Sequence, residues 1–209
     1  MNYYLSSYRL GNELEKLRKL IARTSQKFGY VPNAYDFTTA DQERKSVRSD
    51  DDMNDLRKLG ATVEVLDLKD YFNKEEELQA KLSELGGVYV CGGNTFVLRQ
   101  AMKVSGFDSA LQAAAERTDF LYIGYSAGVC VLTPTLKPYA ITDDATDFPY
   151  PEIQEQIWDG LGIVPFVFQP HYKSDHQESA STDKEIEYCI ENKILFKAYH
   201  DGEVLIIEE

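Results

Sequence analysis

The feature that most constrains the fold is a Gly-x-Ser-x-Gly pentapeptide directly after a short apolar run. The apolar run covers residues 120–123, and the pentapeptide covers residues 124–128 with Ser126 at its centre. A strand that turns sharply into a helix at such a pentapeptide leaves the serine strained and exposed. Gly124 and Gly128 have no Cβ atoms, so strand and helix can approach closely. The pattern therefore predicts that Ser126 presents its hydroxyl at the carboxyl end of a sheet.

Strand-like runs alternate with helical patterns along the whole sequence. Strands are predicted at residues 3–7, 28–31, 61–68, 87–91, 120–123, 163–168, 194–198 and 203–207. Helices are predicted at residues 10–21, 41–59, 74–85, 96–104, 107–117 and 183–192, with a helical turn at 153–158. This alternation favours an α/β fold, with a doubly wound, mostly parallel sheet and helices on both faces. No repeat or linker interrupts it, so residues 1–209 are expected to form one domain.

The acidic charge of the chain limits its partners. The 209 residues carry 35 acidic and 22 basic side chains, a net charge of −13. Nucleic acids and anionic membranes attract basic surfaces, so neither is an expected partner. The basic residues of segment 44–48 are followed at once by three aspartates, which predicts a solvated helix face. An acidic substrate would need a local basic pocket, for which Lys137 is one of few candidates.

The cysteines and the chain start indicate a cytoplasmic protein. Three cysteines, an odd number, are widely spaced and are expected to be reduced, buried thiols. The first residues lack the features of a signal peptide, and no apolar stretch approaches the length of a membrane span. A monomer and a homodimer are both compatible with the sequence.

A serine hydroxyl needs a positioned base to act as a nucleophile at neutral pH. The sequence has three histidines, and His171 directly follows the predicted strand 163–168. His176 lies in a polar loop, and His200 is close to Asp201 near the last predicted strands. Strand ends hold catalytic groups most rigidly, so His171 is the expected base. An ordinary histidine pKa predicts that activity falls on the acid side at roughly pH 6 to 7. His171 and His176 match no metal-binding motif, and no metal is expected.

The base needs a carboxylate to fix its tautomer, and the sequence leaves this choice open. Asp201 stands in a tight His-Asp-Gly turn between two predicted strands, while Asp143, Asp144 and Asp147 lie in an irregular segment rich in proline and acids. A long loop is more often mobile than a tight turn, which favours Asp201. The three aspartates of the irregular segment remain alternatives.

The turn at residues 92–95, Gly-Gly-Asn-Thr, follows the strand before the serine strand. Its free N–H groups could bind an anion, but it lacks the lysine of a P-loop, so nucleotide binding is not favoured. We expect Gly93 to form an oxyanion hole together with the N–H of Ala127. Asn94 and Thr95, on the same turn, are expected to contact the substrate.

Taken together, these motifs resemble the serine peptidases of family S51, the peptidase E or aspartyl dipeptidase family that includes cyanophycinases. The resemblance runs almost end to end and is carried by segments 5–7, 30–34, 92–96, 124–128, 134–135, 161–166 and 170–172. It implies a fold similar to class I glutamine amidotransferases, a serine nucleophile at Ser126 and a base at His171. The acid of the family has been assigned in two ways, which fall here on Asp144 and Asp201.

The sequence thus predicts a serine peptidase-like hydrolase that acts on small peptides without a cofactor. Two alternatives stay open. An esterase of the α/β-hydrolase type shares the serine turn and the chain order Ser126, Asp144, His171. A non-catalytic binding module could use the same fold.

Overall fold

The structure, a computed structural model, describes residues 1–208, and within them eight strands form two sheets. The strands are β1 (Asn2–Ser6), β2 (Lys27–Val31), β3 (Thr62–Val65), β4 (Gly87–Val90), β5 (Leu121–Tyr125), β6 (Val167–Gln169), β7 (Phe196–Ala198) and β8 (Val204–Ile207). The central sheet has the order β3-β2-β4-β5-β1-β8. Its first five strands are parallel, and β8 pairs with β1 in the antiparallel direction.

Seven helices of the described chain connect these strands. They are α1 (Leu14–Ile21), α2 (Gln42–Lys58), α3 (Glu75–Glu84), α4 (Thr95–Ser105), α5 (Phe107–Ala114), α6 (Ala127–Cys130) and α7 (Ser179–Glu191). Side-chain caps begin two of them: Asp41 accepts hydrogen bonds from the first turn of α2, and Asn94 from the first turn of α4. The predicted α/β fold with a mostly parallel, doubly wound sheet is confirmed.

The strands at the centre of the sheet are apolar because both of their faces are covered. Every residue of β4 and β5 is buried, as is usual for parallel strands between two helical layers. The buried tyrosines Tyr30 and Tyr125 donate hydrogen bonds of 3.0 and 2.7 Å to Oδ2 of Asp52, which is fully buried on α2. Arg9 Nε lies 3.2 Å from the other oxygen of Asp52. This network attaches α2 to the residue that precedes Ser126.

Two predicted elements differ most from the structure. The predicted strand 163–168 is shortened to β6, which pairs with β7 in a separate two-stranded sheet. The reason is that Ile163 and Val164 donate their backbone hydrogen bonds to the carbonyl of Leu132 instead of to a strand. The predicted helical turn at 153–158 is an irregular segment that leads to an isolated bridge between Thr135 and Asp159.

The three cysteines are buried and free, as predicted. Among the described residues, no helix combines the length and the apolar character that a membrane crossing requires.

Gly128 provides a test of how tightly the serine turn packs. A Cβ atom at Gly128 would lie 2.4 Å from the backbone oxygen of Val90, which belongs to the neighbouring strand β4 and cannot move aside cheaply. Gly128→Ala should therefore lower the free energy of unfolding by about 3 kcal/mol, the upper end of the range for overpacking. Gly162→Ala is the control: it has φ of +66° but open space around it, so it should cost about 1 kcal/mol. Equal losses of unfolding free energy for the two variants, measured by chemical denaturation, would contradict the close approach of Gly128 to Val90.

Candidate active site

Ser126 occupies the tight turn between β5 and α6 with an uncommon backbone conformation. Its φ of 47° and ψ of −118° are unfavourable for a residue with a side chain. The turn is held because the Ser126 carbonyl accepts hydrogen bonds of 2.8 and 2.9 Å from the N–H groups of Val129 and Cys130. The Tyr122 hydroxyl also donates to the carbonyl of Gly128 at 2.6 Å. These contacts fix the backbone at the serine and in the turn of α6 that follows it.

His171 lies against the serine hydroxyl. Its Nε2 is 3.2 Å from Oγ of Ser126, and its Nδ1 is 2.7 Å from Oδ1 of Asp201. A carboxylate only accepts hydrogen bonds, so Nδ1 carries the proton and Nε2 is free to accept the serine proton. His171 also has a positive φ of 61°, and its backbone N–H donates to the hydroxyl of Ser7 at 2.8 Å.

Asp201 precedes β8 in a tight turn and is fixed by two serines. The Ser7 hydroxyl donates to Oδ1 of Asp201 at 2.9 Å, and the backbone N–H of Asp201 donates to Oγ of Ser174 at 2.7 Å. The sequence assigned no role to Ser7. It directly follows β1, and the same strand-end argument that selected Ser126 and His171 could have selected it.

The other candidate acid, Asp144, lies apart from the imidazole. Its carboxylate is exposed and accepts hydrogen bonds from the backbone and hydroxyl of Thr146, which hold its pKa below the usual value. The structure therefore brings Ser126, His171 and Asp201 together, and places Asp144 on the rim of the cleft. Among the other histidines, His200 is exposed near Tyr172, and His176 stacks on His171.

One group of described side chains could be considered for a metal ion: His171, His176 and Glu178. The two imidazole rings are stacked, with centroids 3.7 Å apart and an interplanar angle of 8°. The in-plane lone pairs of parallel rings do not converge on one point 2.0–2.1 Å from both nitrogens, which zinc requires. In addition, Nδ1 of His176 accepts a hydrogen bond from the N–H of Glu178 at 3.2 Å. This arrangement does not fit a chelated metal.

The turn at residues 92–95 lies beside the serine. Gly93 has φ of +140°, and a Cβ atom there would be 2.4 Å from the carbonyl oxygen of Ala34, so only glycine fits. Ala127 is the first residue of α6, where N–H groups have no acceptor within the helix. The side-chain oxygen of Asn94 is used as a helix cap, and its amide donates to the carbonyl of Asp144 at 3.0 Å. Thr95 lines a small cavity next to Ser126, and its N–H donates to Asp143 at 2.8 Å.

A cleft of about 460 Å³ opens over Ser126 and has a basic wall. Arg44, Lys45 and Arg48 of α2 line it, which corrects the prediction that this segment is only a solvated helix face. The sequence could not show this, because the orientation of α2 on the sheet depends on the hydrogen bonds that Tyr30 and Tyr125 donate to Asp52. The Arg48 guanidinium donates to the Tyr8 hydroxyl at 2.8 Å, and Lys45 forms an ion pair with Asp36. Lys137, the candidate named from the sequence, is absent from the described lining of the cleft.

Three carboxyl groups that the sequence analysis did not single out as a set lie near Ser126. Asp143, Glu178 and Glu185 line a cavity of about 20 Å³ that also touches Ser126 and His171. Burial raises the pKa of Asp143 to about 6, and burial together with neighbouring carboxylates raises the pKa of Glu178 to about 7. Burial also raises the pKa of Glu185 to about 8, although the Thr142 hydroxyl donates to it. Glu185 lies on helix α7 and Glu178 lies directly before it. The sequence did not predict their position beside Ser126, because that position depends on how α7 packs in the fold.

The sequence is similar to those of known peptidases. A profile of peptidase family S51 matches residues 5–209. An uncharacterized peptidase of Listeria monocytogenes serovar 1/2a is 32% identical over 149 residues, which cover 70% of this chain and 68% of that protein. Peptidase E of Streptomyces coelicolor is 31% identical over 62% of this chain, and the match spans only 51% of its length.

A solved structure shares the fold. A protein of L. monocytogenes EGD-e that is provisionally described as a peptidase E superposes with a TM-score of 0.72 at 23% sequence identity. The superposition covers 100% of this chain and 98% of the other.

The environment of His171 predicts an unusual titration. Burial beneath the cleft, together with the neighbouring His176, lowers the pKa of His171 to about 4, although Asp201 acts in the opposite direction. The neutral form of His171, which acts as the base, therefore predominates above about pH 4. This midpoint is lower than the range of roughly 6 to 7 that the sequence predicted. The ¹³Cε1 resonance of His171 should titrate with a midpoint near 4. With only three histidines, the signal can be assigned by its loss in His171→Gln. A midpoint of 6 to 7 would contradict the effect of burial.

Proposed function

Since the chain belongs to peptidase family S51 and is therefore a peptidase, we propose that it is a serine-type enzyme that hydrolyses small peptides. Ser126 is the nucleophile, His171 the general base, and Asp201 the acid that orients His171. The observation that carries the proposal is the continuous chain of contacts from Ser126 Oγ to His171 Nε2 at 3.2 Å, and from His171 Nδ1 to Asp201 at 2.7 Å.

The reaction follows from this chain of contacts. His171 Nε2 takes the proton of the Ser126 hydroxyl while Oγ attacks the scissile carbonyl carbon. Asp201 stabilises the imidazolium, which then donates its proton to the leaving amine. The N–H groups of Gly93 and Ala127 stabilise the oxyanion. Water, activated by the same imidazole, hydrolyses the acyl-enzyme and restores the serine.

The basic wall supports a substrate with a negative group. Three basic side chains of α2 line the cleft, but its lining also includes the acids Asp41, Asp143, Asp144, Asp147 and Glu178, so the positive charge is confined to the wall that α2 forms. Such a wall suits an acidic side chain or the carboxylate end of a short peptide. The cleft volume of about 460 Å³ is that of a site for a small molecule.

Three substitutions test the proposed triad. Ser126→Ala should abolish turnover, because the nucleophile is lost while the turn keeps a small side chain. Asp201→Asn should reduce kcat by about 10³ to 10⁴-fold with little change in KM, because the imidazole loses the acceptor that fixes its tautomer. Asp144→Asn, the same chemical change at the cleft rim, is the matched control and should change kcat by less than about 5-fold.

These rates are measured with a dipeptide library, and an ester panel is run beside it to test the esterase alternative. Residual turnover of Ser126→Ala within tenfold of the unmodified protein would assign the chemistry to another residue. Equal losses in Asp201→Asn and Asp144→Asn would remove Asp201 from its proposed role.

The basic wall yields a separate prediction. Arg44→Gln should raise KM for a dipeptide with an acidic residue by about 5-fold relative to a neutral dipeptide, because one exposed and screened charge contributes about 1 kcal/mol. Lys58→Gln removes the same charge from the far end of α2, outside the described cleft lining, and should leave the ratio unchanged. If both variants change this KM ratio equally, the effect comes from the total charge of the protein and not from the basic side chains that line the cleft.

A further inference from the structure

The imidazole of His171 has a second histidine ring against its face. The rings of His171 and His176 lie with centroids 3.7 Å apart and an interplanar angle of 8°. The Tyr8 ring contacts the pair edge-on, with its centroid 6.0 Å from that of His171 and 5.5 Å from that of His176. The proposed triad uses both ring nitrogens of His171, and His176 covers one face of the same ring. The proposed reaction gives this second ring no role.

A backbone hydrogen bond fixes the orientation and the tautomer of His176. Its Nδ1 accepts a hydrogen bond of 3.2 Å from the backbone N–H of Glu178. The accepting nitrogen carries no proton, so the neutral ring has its proton on Nε2. Protonation of Nδ1 would set a second N–H against the backbone N–H and break this hydrogen bond. The arrangement therefore favours a neutral ring beside His171.

The charge of His176 is important because His171 becomes positively charged during the proposed reaction. The face of a neutral aromatic ring is electron-rich and attracts a cation that lies over it. A protonated His176 would instead place a second positive charge roughly 4 Å from the imidazolium, where the repulsion between two charges in a protein is strong. The same stacked ring therefore assists the reaction when it is neutral and opposes the reaction when it is charged.

On this basis we propose that His176 is a positioning residue of the enzyme: its neutral ring holds the plane of the His171 imidazole, and its protonation stops turnover. The inference rests on the proposed function, since it takes His171 to be the base that accepts the serine proton. His176 acts through His171 and itself transfers no proton. The loss of activity in acid is thereby assigned to His176.

The groups around His176 come from several elements of the fold. Burial lowers the pKa of His176 below its usual value, Asp201 acts in the opposite direction, and Arg48 of α2 adds to the lowering. The Tyr8 ring separates Arg48 from the stacked pair in part, since the Tyr8 hydroxyl accepts a hydrogen bond of 2.8 Å from the guanidinium. Arg48 and burial thus support the neutral form of His176.

Two acids of its own loop complete the surroundings of His176. Asp175 is exposed, and Oε2 of Glu178 lies 3.7 Å from Nε2 of His171. Burial together with neighbouring carboxylates raises the pKa of Glu178 to about 7. Glu178 is therefore the rival group for a loss of activity in acid, and the test must separate it from His176.

The order in which the two rings are protonated follows from their contact. Burial is the main cause that lowers the pKa of His171 to about 4, and the charge of His176 is the next. A group that is repelled by the charge of its neighbour is protonated after that neighbour. Two coupled rings take up protons in two steps, and we expect turnover to stop at the first step. Activity should therefore fall at a pH above the midpoint of His171.

The first test replaces the stacked ring and measures kcat and KM at about pH 8 with the dipeptide that the protein cleaves best. His176→Ala should reduce kcat by about 10 to 100-fold with little change in KM, because the imidazole loses the ring that holds its plane. His176→Phe keeps a flat ring and should restore kcat to within about 3-fold of the unmodified protein. His200→Ala, at an exposed histidine, is the control and should change neither value.

Two outcomes of this first test would overturn the inference. One is a kcat of His176→Ala equal to that of the unmodified protein. The other is an equally low kcat in His176→Ala and His176→Phe, because a flat ring would then be no substitute.

The second test uses the unmodified protein, so it does not depend on the folding of a variant. It compares kcat/KM with the ¹³Cε1 resonances of His171 and His176 over the same range of pH. The His176 resonance should move over the range in which activity falls, and the His171 resonance should move at lower pH, with a midpoint near 4. A fall in activity during which the His176 resonance stays unchanged would overturn the inference.

Two variants then identify the group whose protonation stops turnover. His176→Phe should move the fall in kcat/KM to lower pH, because His171 is then the ring that remains to be protonated. Glu178→Gln removes the rival acid and should leave the midpoint of this fall unchanged. If Glu178→Gln moves the midpoint and His176→Phe does not, the proton binds at Glu178 and the inference is wrong.

The failure of this inference can be distinguished from the failure of the proposed function. Turnover that requires Ser126 and His171 but is unchanged at every pH by His176→Ala would reject the role of His176 and leave the proposed function intact. Full turnover in Ser126→Ala would reject the proposed function, and the role of His176 with it.

Discussion

The backbone conformation of Ser126 is the constraint on which the rest of the site depends. A side chain at φ of 47° costs on the order of 1–3 kcal/mol, and the surrounding packing must offset it. Gly124 and Gly128 allow the backbone of β5 and α6 to meet, and a Cβ atom at either would fall within 2.6 Å of a backbone oxygen. The hydrogen bond from the Tyr125 hydroxyl to Asp52 then attaches the residue before the serine to helix α2. The same conformation that strains the chain directs Oγ toward His171.

The sheet order explains how distant parts of the chain meet at this serine. Strands β5, β1 and β8 are neighbours, and Ser6 pairs with both Tyr125 and Val204. Because β8 is antiparallel, its beginning lies at the same edge as the carboxyl ends of β5 and β1. Ser126 follows β5 and Ser7 follows β1 at this edge, and Asp201 precedes β8 at the same edge. The Ser7 hydroxyl links His171 to Asp201, since it accepts a hydrogen bond from the backbone N–H of His171 and donates one to the carboxylate of Asp201.

The sequence was sufficient for features that depend on local patterns, and insufficient for those that depend on how elements pack. The glycines around Ser126 and the alternation of strands and helices predicted the turn and the parallel sheet, because both follow from backbone geometry. The rigidity of a tight turn favoured Asp201 over Asp144, and the structure puts Asp201 next to the imidazole. The cleft wall formed by Arg44 and the position of Glu178 could not be predicted, since each depends on the orientation of a helix or loop against the sheet. The low pKa of His171 required knowledge of its burial.

The central claim is that the strained turn and the imidazole make Ser126 a nucleophile. It is tested most directly by treating the protein with a fluorophosphonate and locating the adduct by peptide mass spectrometry. The account predicts a single phosphonyl group, on Ser126, and a labelling rate at least 100-fold lower in His171→Gln, because the unassisted hydroxyl is a poor nucleophile. An adduct on another residue, or a labelling rate that does not change in His171→Gln, would contradict the account.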